Sequence, residues 1–141
     1  GDEINLIKKG FNYGWNIASY GTKYKNNENS KNNDYKLSHE KYGFEEPIFS
    51  FVPSIGITQI IKIGKNFSNK WENNYLIGSL NSKHLYKIKF NRSYSKVLFI
   101  EKIFIGERIR DLFYLEDQRK ILIAMEESGS IGIIKNKNLD N

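Results

Sequence analysis

The sequence predicts an all-β fold, and three observations support that prediction. Successive segments are short, rich in β-branched or aromatic residues, and bounded by Gly, Asn, Ser or Asp. No stretch shows a sustained helical period with capping residues at its ends. A strand–turn–strand unit at 75–90 also recurs at 121–135, so that Leu76 corresponds to Leu122 at an offset of 46 residues.

The repeat narrows the all-β class to a particular architecture. A unit of this length that contains about four short strands is typical of a β-propeller blade. A β-sandwich would have similar strands, but we would not expect it to repeat them at a fixed offset. The chain has 141 residues, which is enough for two to three blades. We therefore expect part of a larger propeller, with the remaining blades upstream.

The predicted elements follow one another in chain order. A first strand is expected at residues 1–9, where apolar and polar side chains alternate. Residues 10–21 form a turn-rich aromatic stretch, and the Asn- and Lys-rich residues 22–43 are expected to be a long loop without a core contribution. Further strands are expected at 47–54, 57–63, 73–80, 84–90, 96–105, 108–115, 120–127 and 130–135.

Composition and charge limit the classes of function. Hydrophobic residues make up 39% of the chain and Cys is absent, which indicates a folded domain without disulfides or thiolate metal sites. No apolar run approaches the roughly 20 residues that a membrane span requires. The net charge is +6, but the lysines are scattered among Asn residues without an interleaved stacking surface. We therefore expect no nucleic-acid partner.

Five sequence blocks in the same order carry a resemblance to a known family. They are GDEINLIKKGFNYGW (1–15), SYGTKY (19–24), EEPIFSFVPSI (45–55), NKWENNYLIGSL (69–80) and GERIRD (106–111). In these blocks the chain resembles the PQQ-dependent sugar dehydrogenases of the glucose/sorbosone dehydrogenase family. The resemblance implies a six-bladed β-propeller, of which residues 1–141 would be the C-terminal portion.

Arg108 and Arg110 are candidate cofactor ligands. Residues two apart in a strand project to the same face, and a fork of donors on one face suits a ligand with several carboxylates. Spacing alone favours the alternative of two solvated arginines paired with Glu107 and Asp111. The resemblance favours the cofactor, because the family binds the carboxylates of PQQ with an Arg-x-Arg pair at this place.

The resemblance also implies a calcium site and two further cofactor contacts. Glu3, through its carboxylate, and Tyr13, through its backbone carbonyl, match positions that bind calcium, and all-oxygen ligands suit this ion. Tyr24 matches an aromatic residue beside PQQ, and Ser54 matches a hydroxyl residue that hydrogen-bonds it. From the residues alone, Glu3 could be a surface carboxylate and Tyr13 a core aromatic residue. Tyr24 could be an ordinary loop tyrosine, and Ser54 a turn hydroxyl.

The chain also departs from the family pattern. Asn81 occupies the place of a Lys that commonly contacts PQQ, and Lys83 is the nearest cation that could replace it. Neither His39 nor His84 matches the catalytic base, which in the family is a His of an earlier blade. We therefore expect this chain to lack the catalytic His.

The activity implied by the resemblance is oxidation of an aldose to a lactone. In the family a His removes the hydroxyl proton, hydride passes to PQQ, and calcium polarises the quinone. Such enzymes are typically periplasmic or secreted. Two alternatives stay open: a non-catalytic ligand- or protein-binding propeller, and a hydrolytic propeller such as a lactonase, which would need a central acidic calcium site.

Overall fold

A computed structural model describes residues 1–21 and 35–137 and confirms the all-β prediction. In these residues the regular structure is nine strands and one 3₁₀ turn (Glu40–Tyr42), with no helix long and apolar enough to cross a membrane. The strands are β1 (Asp2–Ile4), β2 (Phe49–Phe51), β3 (Ile57–Lys62), β4 (Tyr75–Ser79), β5 (His84–Phe90), β6 (Val97–Phe104), β7 (Ile109–Leu115), β8 (Lys120–Met125) and β9 (Ile131–Lys135).

The described strands form three antiparallel sheets. The central sheet has four strands in the order β3-β4-β5-β6, as expected of a propeller blade. The C-terminal sheet has the order β7-β8-β9, and β1 pairs with β2 in a separate two-stranded sheet. Each predicted strand is therefore present, and neighbours in each sheet are also neighbours in sequence, as in an up-and-down meander.

The register of the sheets confirms the internal repeat. In the central sheet Leu76 of β4 lies opposite Lys87 of β5. In the C-terminal sheet Leu122 of β8 lies opposite Ile133 of β9. Each residue of the second pair follows its counterpart by the same 46 positions, so the sequence repeat corresponds to a structural repeat of two paired strands.

The central sheet is packed on both faces. Because side chains alternate along a strand, Leu76 and Ile77 point to opposite faces and enter different clusters. The cluster shared with the C-terminal sheet comprises Ile63, Phe67, Leu76, Leu85, Ile109, Leu112, Ile121 and Ile123. The cluster on the other face comprises Phe51, Ile55, Ile77, Tyr86 and Ile88, with Ile4 and Phe49 of the two-stranded sheet packed against it. The sheets therefore stack face to face.

The first strand is shorter than predicted. Residues 1–9 were expected to be extended, whereas β1 ends at Ile4. The Ile48 N–H donates to the Ile4 carbonyl at 2.8 Å. The residue before Ile48 in the paired segment is Pro47, whose nitrogen has no hydrogen to donate. The ladder stops there, and Ile7 is exposed rather than packed.

Candidate cofactor-binding site

The topology brings four connections to one end of the sheets, which we call the loop end. They are residues 52–56 before β3, residues 80–83 between β4 and β5, residues 105–108 between β6 and β7, and residues 126–130 between β8 and β9. In an antiparallel sheet the start of the first and third strands coincides with the end of the second and fourth. Predicted site residues far apart in sequence thus lie at the same end.

Arg108 and Arg110 lie at the loop end and share one face. Arg108 immediately precedes β7 and Arg110 is its second residue, while Ile109 between them is 0% exposed in the core. The Nε atoms of Arg108 and Arg110 lie 2.9 and 2.7 Å from the same Oε2 atom of Glu126. The alternation predicted from the sequence is therefore present, and both guanidinium groups are partly exposed.

The partner of the arginine pair differs from the sequence-based alternative. That alternative paired the arginines with Glu107 and Asp111, but Glu107 accepts the Ser128 N–H at 2.8 Å and Asp111 accepts the Leu112 N–H at 2.8 Å. Strand pairing explains the change, because β8 runs beside β7 and ends at Met125, next to Glu126.

The arginines set the charge state of Glu126. The hydrogen bond from Arg108 lowers the pKa of the Glu126 carboxyl; desolvation acts in the opposite direction, and Arg110 adds a second hydrogen bond that lowers it. Glu126 is therefore ionised at neutral pH, and two cations surround one anion. Together, Arg108, Arg110 and Glu126 carry one net positive charge.

The neighbouring turns hold the remaining loop-end residues. The Asn81 side-chain amide donates to the Ser54 carbonyl at 3.4 Å, so the turn after β4 contacts the loop before β3. Lys83 Nζ lies 2.6 Å from Glu127 Oε1 and links the central sheet to the C-terminal sheet. Asn81 thus brings no cation to the loop end, whereas Lys83 brings one that is already paired.

Asp2 anchors the Ser54 loop and was not identified from the sequence. Its Oδ2 atom accepts the N–H groups of Ile55, Gly56 and Ile57 at 2.9, 2.7 and 3.2 Å. Three donors to one carboxylate oxygen fix the backbone that follows Ser54. The second residue of the chain therefore holds a loop more than fifty positions away.

Glu3, the predicted calcium ligand, lies beside a buried histidine. Its Oε1 atom is 3.5 Å from His39 Nε2, and His39 Nδ1 is 3.5 Å from Glu46 Oε2. Oε1 of Glu3 is buried and has no hydrogen-bond partner within the described residues. His39 is 0% exposed, which corrects the expectation that residues 22–43 make no core contribution.

The burial of His39 has a local cause. The ring occupies space next to Gly14, where a Cβ atom would lie only 3.1 Å from the His39 Cδ2 atom. The Tyr20 ring lies on it at a centroid distance of 5.2 Å. Burial raises the pKa of the Glu46 carboxyl, but hydrogen bonds from the Glu40 and His39 N–H groups and the Tyr20 hydroxyl outweigh this and lower it.

The other predicted positions are placed as follows. The Tyr13 hydroxyl donates to the Leu6 carbonyl at 2.8 Å and accepts the Lys8 N–H at 2.7 Å, which closes the turn after β1. Tyr24 lies outside the described residues. In 1–21 and 35–137 no group of three His, Asp or Glu side chains could hold a metal ion, whereas the predicted calcium set combines one carboxylate with one backbone carbonyl.

Sequence and structure comparisons define the class and then the family. The chain is part of a β-propeller: it superposes on a glucose dehydrogenase crystal structure with a TM-score of 0.74 and 27% identity, covering 96% of this chain and 37% of that one. The chain also superposes on the apo-form of the soluble aldose sugar dehydrogenase from Escherichia coli with a TM-score of 0.75 at 24% identity. At this identity the match supports a shared fold and nothing more.

The family follows from the match along the chain. The family model described as Glucose / Sorbosone dehydrogenase matches residues 1–134, and the chain belongs to this family. Aldose sugar dehydrogenase YliI of Escherichia coli (strain K12) is 28% identical over 98% of this chain. The uncharacterised protein slr1608 of Synechocystis sp. is 22% identical over 93% of it. The chain spans 36% and 30% of these two relatives.

Proposed function

We propose that this chain is part of a PQQ-dependent sugar dehydrogenase that oxidises aldoses to lactones. Its contribution would be cofactor contacts from Tyr24, Ser54, Arg108 and Arg110, together with a calcium contact from Glu3. The backbone carbonyl of Tyr13 would be a second calcium ligand. The catalytic His and the sugar site would be supplied by other blades of a longer protein, which we expect to be periplasmic or secreted.

The arginine pair is the observation that carries this proposal. PQQ is a planar quinone with three carboxylates, and guanidinium groups bind carboxylates through parallel N–H donors. Arg108 and Arg110 lie on one face, within 3 Å of one shared acceptor oxygen. Two donors that already converge on a carboxylate are suited to a second carboxylate presented from solvent. When bound, PQQ would supply the acceptor for the two electrons of the sugar.

The calcium assignment is supported by the surroundings of Glu3. A buried carboxylate oxygen without a hydrogen bond is unusual, because leaving such an atom unsatisfied is costly. A divalent cation that prefers oxygen ligands would satisfy it. Asn5 Oδ1, two residues along the chain, is also buried without a hydrogen-bond partner in the described part of the chain. The oxygens left without a hydrogen bond in this region therefore match the ligand chemistry of a hard cation.

The test of the cofactor proposal is titration of the full-length apoprotein with PQQ. Hydrogen bonds to charged groups contribute roughly 1.5–3 kcal/mol each. Arg108→Ala or Arg110→Ala should therefore weaken PQQ binding about tenfold to a hundredfold. Arg110→Lys should also lose affinity, because an ammonium group keeps the charge but not the planar fork.

The matched control is Arg92→Ala, which removes an exposed arginine from the turn after β5, at the end of the sheet opposite to the loop end. It should bind PQQ as tightly as the wild type. Wild-type affinity in both loop-end variants would contradict the proposed contacts. No binding by the wild type itself would reject PQQ as the ligand.

The calcium contact is tested by thermal unfolding with and without Ca²⁺. If Glu3 binds the ion, added Ca²⁺ should raise the melting temperature of the wild type but not of Glu3→Ala, since a ligand that binds only the folded state stabilises it. Glu40→Gln is the control, because this carboxylate is exposed on the 3₁₀ turn. An equal calcium response in all three proteins would refute the assignment.

The second candidate function is a binding propeller without catalysis. It is favoured by Asn81, which contacts the Ser54 carbonyl instead of bringing a cation, and by the pairing of Lys83 with Glu127. Such a protein would keep the anion-binding arginines but bind PQQ weakly or not at all. The PQQ titration of the wild type separates the two functions directly.

A further inference from the structure

The arginine pair depends on one residue to which no role has been assigned. Glu126 presents a single oxygen, Oε2, to the Nε atoms of both Arg108 and Arg110. Without it, two like charges on neighbouring side chains would repel each other, and each long side chain would sample many rotamers. The shared acceptor therefore both offsets the repulsion and restricts the two guanidinium groups.

Glu126 is itself held in place by backbone contacts. Its N–H donates to the Arg108 carbonyl at 2.9 Å, directly beside the side chain that it binds. The turn that follows is closed by the Met125 N–H, which donates to the Ser130 carbonyl at 3.0 Å, and by the Ser128 N–H, which donates to Glu107 at 2.8 Å. These hydrogen bonds fix the backbone of Glu126 at the end of β8, and therefore limit the positions that its carboxylate can take.

The contact geometry leaves donors for a second anion. A guanidinium group has five N–H bonds, of which Nε carries one and the two Nη atoms carry four. In the described contacts Arg108 donates its Nε–H to Glu126 Oε2, and Arg110 Nε lies 2.7 Å from the same oxygen. The two Nη atoms of each arginine can form a bidentate fork for a carboxylate, and none of them is in the described contacts with Glu126.

We propose that Glu126 is a positioning residue that holds Arg108 and Arg110 as a preassembled receptor for a polycarboxylate. This inference rests on the proposed function, in which the polycarboxylate is PQQ. Fixing the donors before binding reduces the ordering cost that the ligand would otherwise meet. The opposing effect is repulsion between Glu126 and an anionic ligand. It is the weaker one, because Glu126 is partly exposed and two cations neutralise it.

The experiment compares PQQ affinities of the full-length apoprotein and three variants. Glu126→Ala removes acceptor and charge and should weaken binding about tenfold. Glu126→Gln keeps an acceptor oxygen and should restore most of that loss. Glu127→Ala removes the same charge one residue away, where it pairs with Lys83, and should not weaken binding. Tighter binding by all three variants would show that repulsion dominates and would overturn the proposal.

Two reference measurements separate this inference from the proposed function. Binding by the wild type and weaker binding by Arg110→Ala establish the PQQ site independently of Glu126. With those in hand, wild-type affinity in Glu126→Ala refutes the positioning role alone. Hydrogen exchange of the arginine Nε–H groups, measured by NMR without any ligand, gives a second readout. Exchange should accelerate in Glu126→Ala but much less in Glu126→Gln, and equal rates in the wild type and Glu126→Ala would contradict the proposal.

Discussion

The central sheet and the C-terminal sheet repeat the same strand register, yet they bury their side chains differently. Leu85 in β5 is 0% exposed, whereas its counterpart Ile131 in β9 is 61% exposed. The central sheet packs against the C-terminal sheet on one face and against the two-stranded sheet on the other. In the described chain the C-terminal sheet packs against the central sheet on one face only. Burial is therefore decided by the neighbouring sheet and not by the strand sequence.

The same comparison extends to the residues that permit close packing. Gly78 in β4 and Ala124 in β8 occupy corresponding positions of the repeat. A Cβ atom on Gly78 would lie 2.7 Å from Thr58 Oγ1 and 3.0 Å from Ile109 Cγ2. Ala124, on a sheet that packs on one face, tolerates the side chain that the central sheet excludes. The two sheets thus differ by one methyl group where another sheet approaches.

The largest expected effect comes from removing a buried side chain that has an exposed counterpart. Leu85→Ala should lower the free energy of unfolding by about 2–5 kcal/mol, because it leaves a cavity between two sheets. Ile131→Ala should cost less than about 1 kcal/mol, since that side chain is mostly in water. Urea unfolding of the 141-residue chain measures both values. Equal losses would show that the exposed face of the C-terminal sheet is covered in solution.

The next effect is smaller and tests the close approach of the sheets. Gly78→Ala should destabilise the chain by about 1–3 kcal/mol, because the methyl group must displace Thr58 or Ile109. The reverse exchange at the corresponding position, Ala124→Gly, should cost about 1 kcal/mol or less through backbone entropy. Thermal unfolding in parallel gives the comparison. A neutral Gly78→Ala would mean that the sheets are further apart than described.

The strands and the arginine pair were predictable because both follow from local periodicity. Each strand has an alternating or apolar segment bounded by turn residues, and the two-residue period places Arg108 and Arg110 on one face with Ile109 in the core. The repeat was also visible, because the paired strands keep one length and one spacing. The strands and the arginine pair need only near neighbours in the chain, and the repeat needs only a comparison of the sequence with itself.

The contacts that organise the site were not predictable in the same way. Asp2 binds N–H groups 53 to 55 residues away, and nothing in the spacing of the sequence indicates that pairing. Glu126 meets the arginines only because β8 pairs with β7, so the sequence offered the nearer Glu107 instead. His39 lies in a polar stretch and is buried by packing next to Gly14. Each of these depends on tertiary approach rather than on local pattern.

The smallest expected effect concerns Tyr75, which begins β4 of the central sheet. Burial and the hydrogen bond with the Tyr94 hydroxyl, at 3.2 Å, raise the pKa of Tyr75 to about 12. A tyrosine in the unfolded chain has a pKa of about 10, so the fold favours the neutral phenol. Its contribution to stability is therefore complete below pH ~10 and is lost as the pH rises through the folded value of about 12. The corresponding position of the C-terminal sheet is Ile121, which cannot titrate, so at this position of the repeat only the central sheet loses stability at alkaline pH. Tyr75→Phe should make unfolding less sensitive to pH between about 10 and 12 and should remove one late step from the absorbance titration of the tyrosines. An unchanged pH dependence in this variant would show that Tyr75 is solvated, and that this end of the central sheet is as open as the C-terminal sheet.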